Sequence, residues 1–291
     1  MLGTVRRSPD GQLIRNRSAR LERTQHQSFY NRSMLRTVHA TRYALALREG
    51  GSLPAIVEAD DLGLYVVKFR GAGQGPLALV AELVAGEIGR ALGLHVPELV
   101  FMEVDAALGR NDPDAEIRHL LKASTGLNIA LDYLPGSTTF DRAAGDAPSA
   151  ETASMIVWLD AFTQNVDRTA RNPNLLMWHR RLYCIDHGAA LYFHHHWESA
   201  EEKLASPFTP IRTHVLLPWA SRIGEAGAEA RVRLTSEVLA AVLAMIPDPW
   251  LAEDAPSAQL RKEAYLSYLT RRLAASHIFE EEAKKAHAGL L

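Results

Sequence analysis

Two aspartates and an asparagine in the second half of the sequence have the spacing that phosphoryl transfer requires. Asp167 precedes Asn172 by five residues, and Asp186 opens an Asp-x-Gly turn fourteen residues beyond Asn172. In enzymes that move the γ-phosphoryl group of ATP, the first aspartate accepts the proton of the acceptor hydroxyl, and the asparagine and second aspartate bind magnesium. The sequence therefore predicts Asp167 and Asn172 as catalytic residues and Asn172 and Asp186 as Mg²⁺ ligands.

A lysine and a glutamate earlier in the chain complete this pattern. Lys68 lies in an apolar, strand-like segment where a solvated charge is not expected, and the chain has only six lysines against 26 arginines. We predict that Lys68 is catalytic and binds the α- and β-phosphates of ATP. Glu82 shares a helix face with small residues and is expected to pair with Lys68. Glu87, rotated by about 140° from Glu82 on the helix, is expected to be solvated.

A glycine turn and a hinge supply the remaining expected contacts with the nucleotide. The two glycines of the Gly50-Gly51-Ser52 turn allow backbone N–H groups to approach a polyphosphate. A Pro-Gly step ends the next strand-like segment, so we expect a hinge near residues 130–136. The predicted nucleotide-binding residues are Gly50, Gly51, Ser52, Lys68, Glu82, Asp132 and Tyr133.

Apolar periodicity divides the chain into a strand-rich part and a helical part, which predicts a two-lobed α+β fold. The predicted domains are residues 34–134, with a β-sheet and one helix, and residues 135–291, mostly helical. The predicted strands lie at Tyr43–Leu47, Ala55–Glu58, Leu64–Phe69, Glu98–Val104 and Leu127–Tyr133, and the helix at Pro76–Leu92. In the second part we predict helices at Glu151–Gln164, Leu234–Ile246, Ala258–Ala275 and Ile278–Ala286, and a hairpin at Asn174–Ile185.

Composition limits the class of protein and its location. With 291 residues, of which 47% are hydrophobic, the chain can bury a sizeable core. A single cysteine, Cys184, excludes a disulfide framework and is compatible with a reducing cytoplasm, where we expect the protein. Because Cys184 lies beside Ile185 in an apolar strand, we expect it in the core. The longest apolar run, Val238–Ile246, has nine residues, fewer than the roughly 20 of a membrane span.

Charge is unevenly distributed although the net charge is only −2. Residues 1–42 carry nine arginines against two acidic residues, which gives +7 and leaves −9 for residues 43–291. Few aromatic residues accompany the arginines, so nucleic-acid binding is not favoured. Residues 1–33 lack an apolar period, and we expect a disordered extension that arises from an upstream start codon.

The motifs together resemble one family. From Met34 to about Ala286 the chain is similar to HipA-like kinases, in particular to their compact bacterial branch. The matching stretches are Gly50–Pro54, Tyr65–Phe69, Ala81–Glu87, Leu92–Pro97, Asn165–Asn174 and Ile185–Ala190. The resemblance implies a bilobal protein-kinase-like fold, ATP with Mg²⁺, and transfer of the γ-phosphoryl group to a hydroxyl, with a protein serine or threonine as one candidate.

The chain departs from the toxin members of this family. It shows no counterpart of their extra N-terminal subdomain, so an antitoxin partner is not expected. No serine-rich activation loop follows Gly188, so regulation by phosphorylation of that loop is not expected.

Two alternatives belong to other classes of protein. The first is a pseudokinase that binds nucleotide without transfer; the retention of Lys68, Asp167, Asn172 and Asp186 argues against it. The second is a metal-dependent hydrolase. His194 and His196, if they lie in an extended strand, could bind a metal with Asp186 as the third ligand.

Overall fold

Five strands form a closed barrel in the first part of the computed structural model, which describes residues 35–47, 53–73, 75–110, 112–251 and 257–290. The strands are β1 (Thr37–Ala46), β2 (Ala55–Ala59), β3 (Leu64–Lys68), β4 (Leu99–Val104) and β5 (Gly126–Asp132). They are ordered β1-β2-β3-β5-β4, and β1 closes the barrel by pairing in parallel with β4.

Closure of the barrel was not predicted from the sequence, because β1 begins six residues before the predicted start at Tyr43. The added residues are the ones that pair with β4, with Thr37 opposite Phe101 and His39 opposite Glu103. The barrel core combines branched side chains, including Val57, Val67 and Val100, with the aromatic side chains of Tyr65 and Phe69. Lys68 ends β3, which pairs with β2 on one side and with β5 on the other.

Helix α1 (Pro76–Ala91) connects β3 to β4 and begins with a proline at its first position, as predicted. Every residue from Leu79 to Gly89 is buried. The expectation that Glu87 is solvated is therefore wrong: Glu87 is 5% exposed and lies near Arg90, with 3.5 Å between the charged groups. Its helix packs on neighbours on more than one side, so a rotation of 140° does not lead to solvent.

A short helix, α2 (Ala115–Ala123), occupies part of the polar insertion between β4 and β5. It was not predicted, because its first turn is polar. The Asp114 side chain accepts a hydrogen bond from the Glu116 N–H at 2.8 Å and caps the helix. Leu120 and Leu121 then add to the barrel core.

The second part of the chain is mostly helical and contains a three-stranded sheet. Its helices are α3 (Ala150–Thr163), α4 (Ala200–Leu204), α5 (Ile223–Arg233), α6 (Ser236–Ala244), α7 (Ala258–Ala274) and α8 (His277–Ala288). The sheet consists of β6 (Thr138–Thr139), β7 (Leu175–Trp178) and β8 (Arg181–Cys184), all antiparallel. In the described residues no helix is long and apolar enough to span a membrane.

The helix and the hairpin that hold the predicted catalytic loop have the expected form. All residues of α3 from Ala153 to Thr163 are buried, as its apolar sequence predicted. The hairpin of β7 and β8 occupies the predicted segment. Arg36–Leu291 clusters as one compact unit, and the division at residue 134 remains a prediction.

Candidate active site

Lys68 and Asp186 form an ion pair, with 2.6 Å between Nζ and Oδ1. Lys68 is only 8% exposed. Burial acts to lower the pKa of Lys68, but the negative charges of Glu82 and Asp186 outweigh it, so this pKa lies above its ordinary value. Burial acts to raise the pKa of Asp186, and the Lys68 ammonium outweighs that effect and holds this pKa below its usual range. Both groups are therefore charged at neutral pH.

Glu82 contacts the Asp186 turn rather than Lys68. Its Oε2 accepts a hydrogen bond of 2.8 Å from the backbone N–H of His187. The predicted direct pair of Lys68 with Glu82 is therefore not formed: the ion-pair partner of Lys68 is Asp186. Burial and the charge of Asp186 raise the pKa of Glu82 to about 7, against the opposing effect of Lys68. Glu82 still acts on Lys68 through its charge, without direct contact.

The loop after α3 brings Asp167 and Asn172 together. Gln164 adopts a left-handed backbone (φ 56°), which ends the helix. Asn172 Nδ2 donates a 2.8 Å hydrogen bond to Asp167 Oδ2. Asn174 Nδ2 donates to the same oxygen at 3.3 Å. Two amides thus orient the Asp167 carboxylate, and the sequence analysis identified only Asn172.

The β7–β8 hairpin returns the chain to this loop. Just after β8, the N–H of Ile185 donates to the backbone oxygen of Asn174 at 3.1 Å. Asp186 then adopts a left-handed conformation (φ 53°), which aspartate tolerates better than most residues.

The charge of Asp167 also raises the pKa of Lys68. Three carboxylates, those of Glu82, Asp167 and Asp186, therefore act on one buried ammonium.

A buried ion pair beneath the loop escaped the sequence analysis. Arg168 Nε lies 2.6 Å from Asp160 Oδ2, and both side chains are fully buried. His214 Nε2 is 2.8 Å from the same oxygen, and its Nδ1 accepts the Leu216 N–H, so Nε2–H is the donor to Asp160. Burial acts to raise the pKa of Asp160, but Arg168 and His214 hold it well below its usual range. The available signal was the single carboxylate, Asp160, in the otherwise apolar stretch Met155–Phe162 of this helix, because a buried carboxylate requires a buried partner.

The predicted hinge residues lie at the end of β5. Asp132 is half-buried, and its pKa is raised by burial and by the charge of Glu98. The Tyr133 N–H donates to the Leu64 oxygen at 2.9 Å, beside β3. Gly50, Gly51 and Ser52 lie outside the described residues. The contacts of these five residues with a nucleotide remain predictions.

The histidine run does not have the form that the hydrolase alternative needs. Residues Tyr192–His195 form a 3₁₀ helix instead of an extended strand. His194 is buried, with Nδ1 2.8 Å from the Tyr265 hydroxyl, and His196 is exposed near Glu198. In the part of the chain that the structure describes, no group of three or more His, Cys, Asp or Glu side chains could hold a metal ion.

Cys184 is fully buried, as predicted. Burial raises the pKa of its thiol to about 12. A thiol that stays protonated is a poor nucleophile, so this residue belongs to the core.

The donor groups of Asn172 and Asp186 fit magnesium. Mg²⁺ takes oxygen ligands and is typically bound by one or two protein carboxylates together with phosphates and water. The Asp186 side chain is 38% exposed, so an ion can reach it. Because Asn172 Nδ2 is bonded to Asp167, the exposed amide of Asn172 has its oxygen available as a ligand.

The fold is shared with a kinase of known structure. A crystal structure of the Helicobacter pylori proinflammatory kinase CtkA matches with a TM-score of 0.53 and 14% identity, over 88% of this chain and 99% of that chain. The Golgi casein kinase with Mn and ADP bound matches with a TM-score of 0.46 and 12% identity, over 88% of this chain and 76% of the other. The mixed α/β fold of this protein is thus found in a kinase.

The family follows from the sequence. The model of the HipA-like kinase family matches residues 44–283, which is most of the chain. The protein therefore belongs to the HipA-like kinase family and is an enzyme with phosphotransferase activity, which confirms the resemblance identified from its motifs. No curated protein matches the chain.

Proposed function

We propose that this kinase transfers the γ-phosphoryl group of ATP to a hydroxyl group, with Mg²⁺ as the metal and a protein serine or threonine as the first acceptor to test. The observation that carries the proposal is the buried Lys68 ammonium, which contacts Asp186 and feels the charges of Glu82 and Asp167. A buried cation near the solvent-reaching carboxylates of Asp167 and Asp186 suits an anionic polyphosphate that arrives with a metal ion.

Each residue has a distinct role in binding. Lys68 binds the α- and β-phosphates once its contact with Asp186 is released. Glu82 holds the Asp186 turn through the His187 N–H and supplies negative charge that keeps Lys68 protonated. The turn at residues 50–52 covers the phosphates, and Asp132 and Tyr133 contact the nucleotide at the hinge.

Asp167 acts on the acceptor. Its carboxylate, oriented by the amides of Asn172 and Asn174, accepts the hydroxyl proton. The acceptor oxygen forms a bond to the γ-phosphorus while the bond from that phosphorus to the β,γ-bridging oxygen breaks, and ADP leaves with the electron pair. When bound by Asn172 and Asp186, Mg²⁺ neutralises charge on the phosphate oxygens.

The proposal includes the setting of the reaction. The nucleotide would bind between a small lobe at residues 34–134 and a larger one at residues 135–291. A chain with a single cysteine, Cys184, suits the reducing cytoplasm, where ATP is supplied.

Incubation with γ-labelled ATP and Mg²⁺ tests the proposal, with the protein alone and with proteins of a cell extract. We expect label on a protein in the wild-type reaction and none above background with Asp167→Asn. Alkali-labile, acid-stable label would identify phosphoserine or phosphothreonine. Equal labelling by the wild type and Asp167→Asn would contradict the proposal.

A further inference from the structure

Arg168 directly follows Asp167 but extends into the protein. It is 1% exposed, whereas Asp167 reaches the surface. A buried guanidinium needs a compensating charge, which Asp160 of α3 provides at 2.6 Å. This pair uses Nε, with Nη2 at 3.4 Å from the second carboxylate oxygen. Nη1 and Nη2 therefore have N–H groups left to donate to other partners.

Those donors contact both neighbours of Asp186. Nη1 donates to the backbone oxygen of Ile185 at 3.3 Å, and Nη2 lies 3.2 Å from Nδ1 of the His187 ring. Nη1 also donates to the backbone oxygen of Asn174, which in turn accepts the Ile185 N–H. Because arginine has no acceptor, the contact with His187 requires that its Nδ1 is the unprotonated nitrogen.

We propose that Arg168 is a positioning residue that sets the Asp186 turn against the Asp167 loop. This inference rests on the proposed function, in which Asp167 accepts the proton of the acceptor hydroxyl and Asp186 binds the metal ion. The backbone of Arg168 continues the loop, and its side chain binds the residues on either side of Asp186. One side chain therefore fixes the distance between acceptor base and metal ligand.

Lysine cannot replace this arrangement although it keeps the charge. A guanidinium presents five donors in a planar fork, whereas an ammonium is a single nitrogen on a flexible stem. In Arg168→Lys the ammonium can stay with Asp160, and the contacts with Ile185, His187 and Asn174 are then lost. The Asp186 turn should become more mobile even without nucleotide or metal.

Hydrogen exchange of the nucleotide-free and metal-free protein tests this inference. The His187 N–H, which donates to Glu82, reports on the turn. We expect Arg168→Lys to accelerate exchange in residues 185–190 by at least about ten-fold. The matched control is Arg272→Lys. Arg272 is equally buried and donates to the carbonyls of Phe162 and Leu204, but to neither the Asp167 loop nor the Asp186 turn.

A second measurement follows labelled transfer as a function of magnesium concentration. Arg168→Lys should raise the concentration for half-maximal rate several-fold and lower the maximal rate, whereas Arg272→Lys should leave that concentration unchanged. If Arg168→Lys does not fold, His187→Leu removes one acceptor while keeping the backbone N–H, and it should accelerate exchange in the same segment.

Two results would overturn the inference. One is hydrogen exchange at the wild-type rate in residues 185–190 of the folded Arg168→Lys or His187→Leu variant. The other is equal acceleration in Arg272→Lys, which would show a general loss of stability. Because exchange is measured without ATP, its outcome stands even if no phosphoryl transfer is found.

Discussion

The ammonium nitrogen of Lys68 lies 2.6 Å from a carboxylate oxygen of Asp186, so two groups that act on different parts of the proposed nucleotide complex neutralise each other in its absence. A phosphate must take the place of Asp186 at Lys68, while the released carboxylate becomes available to the metal ion. Binding of nucleotide and metal should therefore be mutually dependent.

Lys68→Met should abolish nucleotide binding and lower transfer by at least about 100-fold, because the variant lacks the buried cation for the phosphates. Calorimetry with ATP and labelled transfer check this. Lys262→Met is the matched control, because Lys262 pairs with Asp248 at the surface. This variant should bind nucleotide like the wild type. Wild-type affinity in Lys68→Met would remove Lys68 from the nucleotide site.

Glu82→Gln should lower transfer by about ten-fold or more, because the amide oxygen can still accept the His187 N–H but the negative charge near Lys68 is lost. Glu87→Gln is the control on the same helix and should transfer at a rate close to that of the wild type. Steady-state kinetics of both variants, compared at equal folded fraction, decide the matter. If Glu87→Gln transfers slowly and Glu82→Gln transfers like the wild type, the functional glutamate is Glu87 instead of Glu82.

Local sequence was sufficient to predict the parts of the site that lie on regular elements. The apolar run before Asp167 required a buried helix, and α3 is buried from Ala153 to Thr163. The two apolar segments after Asn174 required a hairpin, and β7 and β8 form it. These predictions held because short-range periodicity determines which residues are buried.

Contacts between distant segments could not be predicted in this way. Whether Lys68 meets Glu82 or Asp186 depends on the backbone of His187, whose N–H occupies the Glu82 carboxylate. His214 meets Asp160 across 54 residues of sequence. No periodic pattern encodes either contact, since each depends on how the packed elements place single polar groups.

Acid should destabilise the protein below about pH 6.5 through buried histidines. Burial and neighbouring cations lower the pKa of His187 and of His194 from 6.5 to about 3. The unfolded chain therefore binds protons in this window that the folded chain does not, so the free energy of unfolding falls as the pH falls. Each such histidine contributes a slope of up to about 1.4 kcal/mol per pH unit. Glu82, with its pKa raised to about 7, contributes the opposite slope between pH 4.5 and 7.

His194→Gln removes one of these two histidines, and His194 is not among the proposed catalytic residues. The variant therefore isolates the contribution of one buried histidine to the pH dependence of stability. Denaturant unfolding at pH 6.5, 6.0, 5.5 and 5.0 should show a shallower loss of stability for the variant than for the wild type. Parallel curves for the two proteins would mean that His194 can be protonated in the folded state.

Cys184 should resist alkylation in the folded protein, since its thiol is fully buried and its pKa is raised to about 12. At pH 8.5 iodoacetamide should label it only at the rate at which the protein opens, and rapidly in denaturant. Mass spectrometry of timed samples measures both rates. Labelling of the folded protein as fast as in denaturant would show that the β8 strand is accessible.

The central claim is tested most directly by measuring nucleotide binding and phosphoryl transfer separately in variants of Asp167 and Asp186. At one hundred times the dissociation constant, Mg-ATP should stabilise the wild type by roughly 2.7 kcal/mol, or several degrees at about 2–4 °C per kcal/mol. Asp167→Asn should keep this thermal shift and lose labelled transfer, because it changes only the acceptor side. Asp186→Asn should lose both the magnesium-dependent shift and transfer. A wild type that shows the shift but never transfers label would contradict the account and indicate a pseudokinase, and an Asp167→Asn variant that transfers like the wild type would contradict the assigned base.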